Sequence, residues 1–193
     1  MVCDNRERNS DMHNVIERLC SDHQHMGTLL DVLERELDIV ERAGNADFAI
    51  MRDTMQYLTR YSDKVHHPME DLVYARLADR SPKARMDLAP VPEQHERIAR
   101  EGSSLLDAVS MVADGGMTLR ARILRAGRRY VADLRKHIEM EEAHLFPLAL
   151  STLDRADLAE VERILDEQKD PVFGDVVQAD FEDLYAHIRD EMN

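Results

Sequence analysis

The sequence predicts an all-α protein, an antiparallel up-down four-helix bundle with a short C-terminal helical extension. Three observations carry that expectation. Apolar residues recur at three- and four-residue intervals along four successive stretches, the period of a helix with one buried face. The 193 residues are 44% hydrophobic but only 5% aromatic, with 11 Met, 7 Gly and no Trp, a balance that suits helices better than a sheet. Four amphipathic stretches follow one another, broken by Gly or Pro and without a long flexible linker, which reads as an antiparallel bundle. No repeat or low-complexity tract interrupts the pattern.

The first stretch runs from about Ser10 to Ala43, burying Met12, Ile16, Leu19, Met26, Leu30, Leu33, Leu37 and Val40. Gly44-Asn45 stops it, and Asp47 is placed to cap the next helix. The second, Asp47 to Asp79, repeats the pattern from Phe48 through Met51, Met55, Leu58, Val65, Met69, Val73 and Leu77. A connection holding Ser81-Pro82 and Pro90-Val91-Pro92 follows. The third, Pro92 to Asp114, carries Ile98, Leu105, Leu106, Val109 and Val112, and Gly115-Gly116 breaks it. Thr118 is a plausible cap for the fourth, which runs through Ile123, Tyr130, Leu134, Ile138 and Leu145 to about Pro147. Two shorter helices, Asp154 to Gln168 and Asp175 to Met192, are split by Asp170-Pro171. Residues 1–150 are therefore expected to form the bundle. Residues 151–193 are expected to pack on it, or to serve a homo-oligomer or protein partner.

The formal charge of −14 argues against nucleic acid, whose phosphates require clustered Lys and Arg, and against an anionic membrane surface. No apolar run approaches the ~20 residues that span a bilayer, and the first residues are charged rather than signal-like. Cys3 and Cys20 form no Cys-x-x-Cys pair. Neither a disulfide framework nor a thiolate metal site is expected, and a reducing cytoplasm is the default location.

The chemistry lies in the histidines. At about 100° per helical residue, His23 falls in the middle of the first apolar stripe and His25 on the opposite side. His95 is central in the third. His137 and Glu141 lie on the stripe of the fourth, and His66 and Glu70 on one flank of the second. His67 and Asp71 point away from it. His followed four residues later by an acid occurs elsewhere too, at His13/Glu17 and His187/Glu191, and such pairs are often surface ion pairs. Burial separates the two cases. Each of the four stretches turns a histidine inward and two add a glutamate, and buried polar groups of that kind need a common partner. A metal provides one. Nitrogen and oxygen donors without sulfur suit iron, manganese or zinc, and two carboxylates placed to bridge suggest two ions.

At these residues the chain resembles the hemerythrin-like, or HHE cation-binding, family. The matching segments are Leu19-x3-His23, His66-His67-Pro68-Met69-Glu70, Glu93-Gln94-His95-Glu96-Arg97-Ile98, and His137-Ile138-x2-Glu141-Glu142-x2-Leu145-Phe146-Pro147. The resemblance implies a bundle around two non-haem Fe ions, oxo- or hydroxo-bridged, that meets O2, peroxide or nitric oxide in an oxidative or nitrosative stress response. On that pattern His23, His66 and the bridging pair Glu70 and Glu141 serve one iron, and His95, His137 and the same bridges serve the other. The chain departs from the oxygen carriers at Ala99, where they place a second histidine one turn on. It departs again at Glu141, four residues after His137, where they use an aspartate at five. The His95 side is then expected to be one ligand short, with His144 as a possible substitute, and the protein to react with oxygen rather than store it. Pro68, inside the second stretch, is expected to bend the helix beside the site. The alternatives are an iron-level sensor without turnover and a ferritin-like carboxylate di-iron oxidase. The latter wants two Glu-x-x-His motifs, and only Glu141 to His144 is present.

Overall fold

In the computed structural model, which describes residues 14–167, 170–173 and 181–191, the first stretch is a single helix, α1 (Asn14–Glu41). It ends where Ala43 turns left-handed at φ 56°, one residue before the glycine expected to do so, and the amide of Gly44 bonds back to Ile39 O. Asp47 then caps α2 (Phe48–Tyr57), accepting from the amides of Ala49 and Ile50 at 3.0 Å. The second stretch continues through a widened segment, π1 (Leu58–His66), into α3 (His67–Arg80). The predicted connection contains a further short helix, α4 (Pro82–Leu88), started by Ser81 as cap and Pro82 in the first turn.

The third and fourth stretches are α5 (Val91–Ala113) and α6 (Arg120–Met140). Leu119, not Thr118, precedes α6, and it makes no side-chain cap bond. The fourth stretch passes through π2 (Glu141–Leu145) into α7 (Phe146–Thr152), so Pro147 does not end it. Beyond lie α8 (Arg155–Glu167) and α9 (Glu182–Glu191). The predicted helix limits at Ser10, Gln168, Asp175 and Met192 fall outside the described residues. No strand occurs among the described residues, and the fold class is all-α as expected.

Antiparallel order is visible in side-chain pairs. Glu142, Arg135 and Arg128 of the fourth column meet His23, Asp31 with Glu34, and Asp38 with Glu41 of α1, in descending against ascending order. Arg97 and Glu101 of α5 likewise meet Asp133 and Arg129 of α6. The helices α1 and α6 approach closely at Gly127, where an added Cβ would lie 2.6 Å from Leu37 Cδ2.

The apolar core is divided. One cluster holds Met26 to Val40, Ile50 to Tyr61, Ile98 to Val109 and Ile123 to Leu134. The other holds Val15 to Cys20, Met69 to Leu77, Val91, and Leu145 to Ala149. Each of the four columns crosses from one cluster to the other at its inward histidine. The C-terminal segment spans the same divide: Leu158 and Val161 join the second cluster, and Val172, Phe181, Leu184 and Ile188 join the first. Cys20 is buried in the second cluster. Cys3 lies outside the described residues. No helix among the described residues is long and apolar enough to cross a membrane.

Candidate metal centre

Between the two apolar clusters lies a polar layer. His23 comes from α1, His66 ends π1, His67 and Glu70 open α3, His95 lies near the start of α5, His137 sits in the last turn of α6, and Glu141 opens π2. All seven are buried, Glu70 and Glu141 completely.

Glu70 stands at the centre with its two oxygens facing different histidines. Its Oε1 lies 3.1 Å from His66 Nε2 and 3.4 Å from His23 Nε2, and its Oε2 lies 3.6 Å from His95 Nε2. Glu141 is placed comparably: Oε2 is 3.3 Å from His137 Nε2 and 3.5 Å from His23 Nε2, and Oε1 is 3.8 Å from His95 Nε2. Tyr74 donates its hydroxyl to Glu141 Oε1 at 2.8 Å. Two sets of ligand-capable atoms result, His23, His66 and Glu70 on one side and His67, Glu70, His95 and His137 on the other. They share Glu70.

Four of the imidazoles turn Nε2 inward and present Nδ1 to an outer side-chain oxygen. His23 faces Glu142 at 3.2 Å, His66 faces Asp22 at 3.2 Å, His95 faces Asp71 at 3.4 Å, and His137 faces Gln94 at 3.0 Å. In the neutral imidazole each such oxygen favours the tautomer with its proton on Nδ1, which leaves the Nε2 lone pair directed into the layer. His67 differs. Its ring stacks on His95 at 4.2 Å and 11°, with Nδ1 3.5 Å from Asp63 and Nε2 3.4 Å from Ser62 Oγ.

The residues fit a metal by two tests. Glu70 Oε1 and Oε2, Glu141 Oε2 and His66 Nε2 are buried atoms without a hydrogen-bond partner, converging in one place. The donor spacing also agrees. Nitrogens held at about 2.1 Å and at right angles about one ion lie about 3.0 Å apart, and His95 Nε2 and His137 Nε2 are 3.1 Å apart.

The electrostatics of the cluster are polarised. Burial raises both glutamates, but the histidines around them outweigh it and hold both below the usual carboxylate range. Burial lowers His95, yet Asp71, Glu141 and Glu70 carry it up to about 10, and His23 is raised by the same kind of balance. His67 and His137 are depressed, by burial first and then by neighbouring imidazoles, and so are kept neutral and ready to ligate.

The six residues expected to ligate, His23, His66, Glu70, His95, His137 and Glu141, meet in this layer. Two other expectations change. His67 does not point away from the core; it is 4% exposed and joins the His95 set, whereas Asp71 is exposed as expected. His144 is exposed and lines a surface cavity with Lys83 and Asp87, apart from the cluster. His25 is half-buried against Asp170. The reason for the His67 error is π1. A π turn takes one residue more than an α turn, so each residue advances less than the ~100° assumed, and the wheel carries His67 too far round. The signal was present in Pro68, since the widened turn places the amide bond of His67 on Ser62 O and Pro68 next to it, where no donor is missed.

Comparison with protein families matches residues 14–149, and again residues 91–193, to the hemerythrin HHE cation binding domain. No curated protein and no solved structure matched. A helical bundle, a histidine-rich layer shared among its four columns and a match over most of the length agree, and the chain belongs to the hemerythrin HHE cation-binding family.

Proposed function

We propose that the layer holds two non-haem iron ions, with His23 and His66 serving one, His67, His95 and His137 the other, and Glu70 and Glu141 between them. The protein uses this pair to bind or react with O2, peroxide or nitric oxide. The observation that carries the reading is Glu70, whose two oxygens each face a separate histidine group, as a carboxylate shared by two cations does. The donor set is imidazole and carboxylate without thiolate, which admits iron, manganese or zinc, and the family favours iron. Five histidines against two glutamates set it apart from a carboxylate-rich oxidase site.

An iron pair supplies redox chemistry and open positions for a small oxidant. The chain's own residues supply the rest. Glu142, Asp22, Asp71 and Gln94 hold the four imidazoles in register through Nδ1. Tyr74 holds Glu141 through its carboxylate, and Leu19, Met69 and Phe146 keep water from the layer on the second cluster's side. Three histidines on the His95 side and two on the other move the open position from the His95 side to the His23/His66 side. Metal analysis with the optical spectrum of protein from iron-replete cells tests the reading. Two irons per chain with oxo-to-iron charge-transfer bands are expected, and a single ion or an iron-free protein overturns it. Stopped-flow mixing of the di-ferrous form with O2 then separates reaction from carriage: rapid irreversible oxidation is expected, and a long-lived, reversibly deoxygenated species argues for storage.

A further inference from the structure

The outer partner of His66 opens onto a run of side chains that leaves the layer. Asp22, 3.2 Å from His66 Nδ1, accepts from the Tyr61 hydroxyl at 3.3 Å through both oxygens. Arg18 donates to Asp22 at 3.1 Å and to the Tyr61 oxygen at 2.7 Å. The Tyr61 ring stacks on Tyr57 with centroids 5.3 Å apart. Tyr57 in turn donates to Asp170 Oδ2 at 2.7 Å. The same oxygen lies 3.3 Å from Nδ1 of His25, whose ring stacks on Phe173 at 4.0 Å and whose side chain is 28% exposed. Polar and aromatic contacts therefore run without a gap from buried His66 to the surface.

Asp22, His25 and Asp170 also lie close enough to suggest a third cation site. Their oxygens are already satisfied, with Oδ1 of Asp170 accepting from the amides of Val172 and Phe173. What the arrangement supplies is a base beside each phenol. A phenol that loses an electron becomes strongly acidic and must release its proton at once, so a tyrosine relays charge only beside a carboxylate or similar acceptor. Burial keeps both phenols protonated until then. Of the other three tyrosines only Tyr74 also faces a carboxylate, and that one belongs to the layer itself, so it leads no further outward. Tyr130 is buried with an unpartnered hydroxyl, Tyr74 donates to Glu141 inside the layer, and Tyr185 is exposed.

We propose that Tyr61 and Tyr57 form a relay that carries oxidising equivalents from the metal layer to the surface at His25. The proposal rests on the reading that the layer holds a redox-active metal pair, with hydrogen peroxide as the oxidant. An electron passes from the Tyr61 phenol to the peroxide-oxidised pair, its O–H bond breaks, and the proton goes to Asp22, leaving a neutral phenoxyl radical. Tyr57 then gives an electron to Tyr61 and its proton to Asp170, and Tyr61 takes its own proton back from Asp22. An external one-electron reductant such as ascorbate, meeting the exposed edge of His25, passes its electron across the His25–Asp170–Tyr57 contacts to buried Tyr57, which recovers its proton from Asp170.

Freeze-quench electron paramagnetic resonance of iron-loaded protein mixed with hydrogen peroxide is expected to show a tyrosyl radical. Tyr61→Phe should abolish it, Tyr57→Phe should lengthen its life on Tyr61, and Tyr130→Phe should leave it unchanged. These substitutions keep the ring, and unchanged iron content and circular dichroism separate a relay from a packing role. A parallel arm photo-oxidises metal-free protein in a Tyr185→Phe background, where the radical should again settle on Tyr57 or Tyr61. Absence of a tyrosyl radical in both arms, or a radical indifferent to Tyr61→Phe, overturns the relay. Failure to take up iron overturns the di-iron reading alone, and the metal-free arm then decides the relay.

Discussion

On the sequence His144 is the candidate for the extra position on the His95 side, and the structure brings His67 into that set instead. His67 is 4% exposed and grouped with Glu70, His95 and His137, and His144 faces solvent. We expect His67→Ala to lower bound iron below two per chain and His144→Ala to leave it unchanged, measured by metal analysis after gel filtration. The outer oxygens matter nearly as much as the imidazoles they hold. Gln94 fixes His137 from 3.0 Å, and Gln94→Ala should weaken metal affinity about 10–100-fold in competition with a chelator.

Both widened segments sit at the layer, and both are followed two residues later by proline: His66 then Pro68, and Leu145 then Pro147. A proline inside an α-helix removes one amide bond and clashes with the carbonyl four residues back. Letting the preceding residue bond five back relieves this, as His67 N to Ser62 O and Phe146 N to Glu141 O do. The adjustment also re-aims His66, His67 and Glu141. Pro68→Ala permits ordinary α bonding, so it should leave metal-free protein equally stable or more so while weakening metal binding. Thermal unfolding without metal, beside a metal titration, checks both halves.

A second element-level device is the Asp170 turn. Asp170 takes bonds from His25 of α1, Tyr57 of α2 and the amides of Val172 and Phe173. Burial raises its carboxyl, but these partners together hold it below the usual range. A carboxyl depressed in the folded state stabilises fully above its unfolded value of about 3.9, and that stability is lost as pH falls through the folded value. Asp170→Asn should therefore destabilise by about 1–3 kcal/mol at neutral pH. The gap from wild type should close in acid, below about pH 4. Denaturant unfolding across pH measures this.

Over the whole molecule, two apolar clusters are joined through one polar layer. Without a metal the layer is a buried set of carboxylates and imidazoles, held together by charge but not filled. The cluster beyond it, built on the start of α1, α3, α7 and α8, is the smaller of the two. Chelation should therefore raise amide hydrogen exchange first in α3, α4 and α7, with α5 and α6 staying protected. Uniform loss of protection would mean the layer governs the whole fold. That outcome would favour the iron-sensor reading, in which losing metal loosens the bundle, over a rigid oxidant-handling site.

The sequence alone determined the helical class, the four columns, and which face of each carries His23, His66, Glu70, His95, His137 and Glu141. These follow from local periodicity, because apolar spacing repeats within each helix and needs no partner to be read. It did not place His67, which depends on a π segment that an α-helical wheel cannot represent. The short helix α4 also went unseen, too brief for a periodic signal, and so did the departure of His144 from the site. Only the tertiary structure decided which imidazoles share Glu70, that Asp22 links His66 to two tyrosines, and that Asp170, 145 residues beyond His25, closes the run. Those relations are distances between columns, and the period of a single helix carries no record of what stands opposite it.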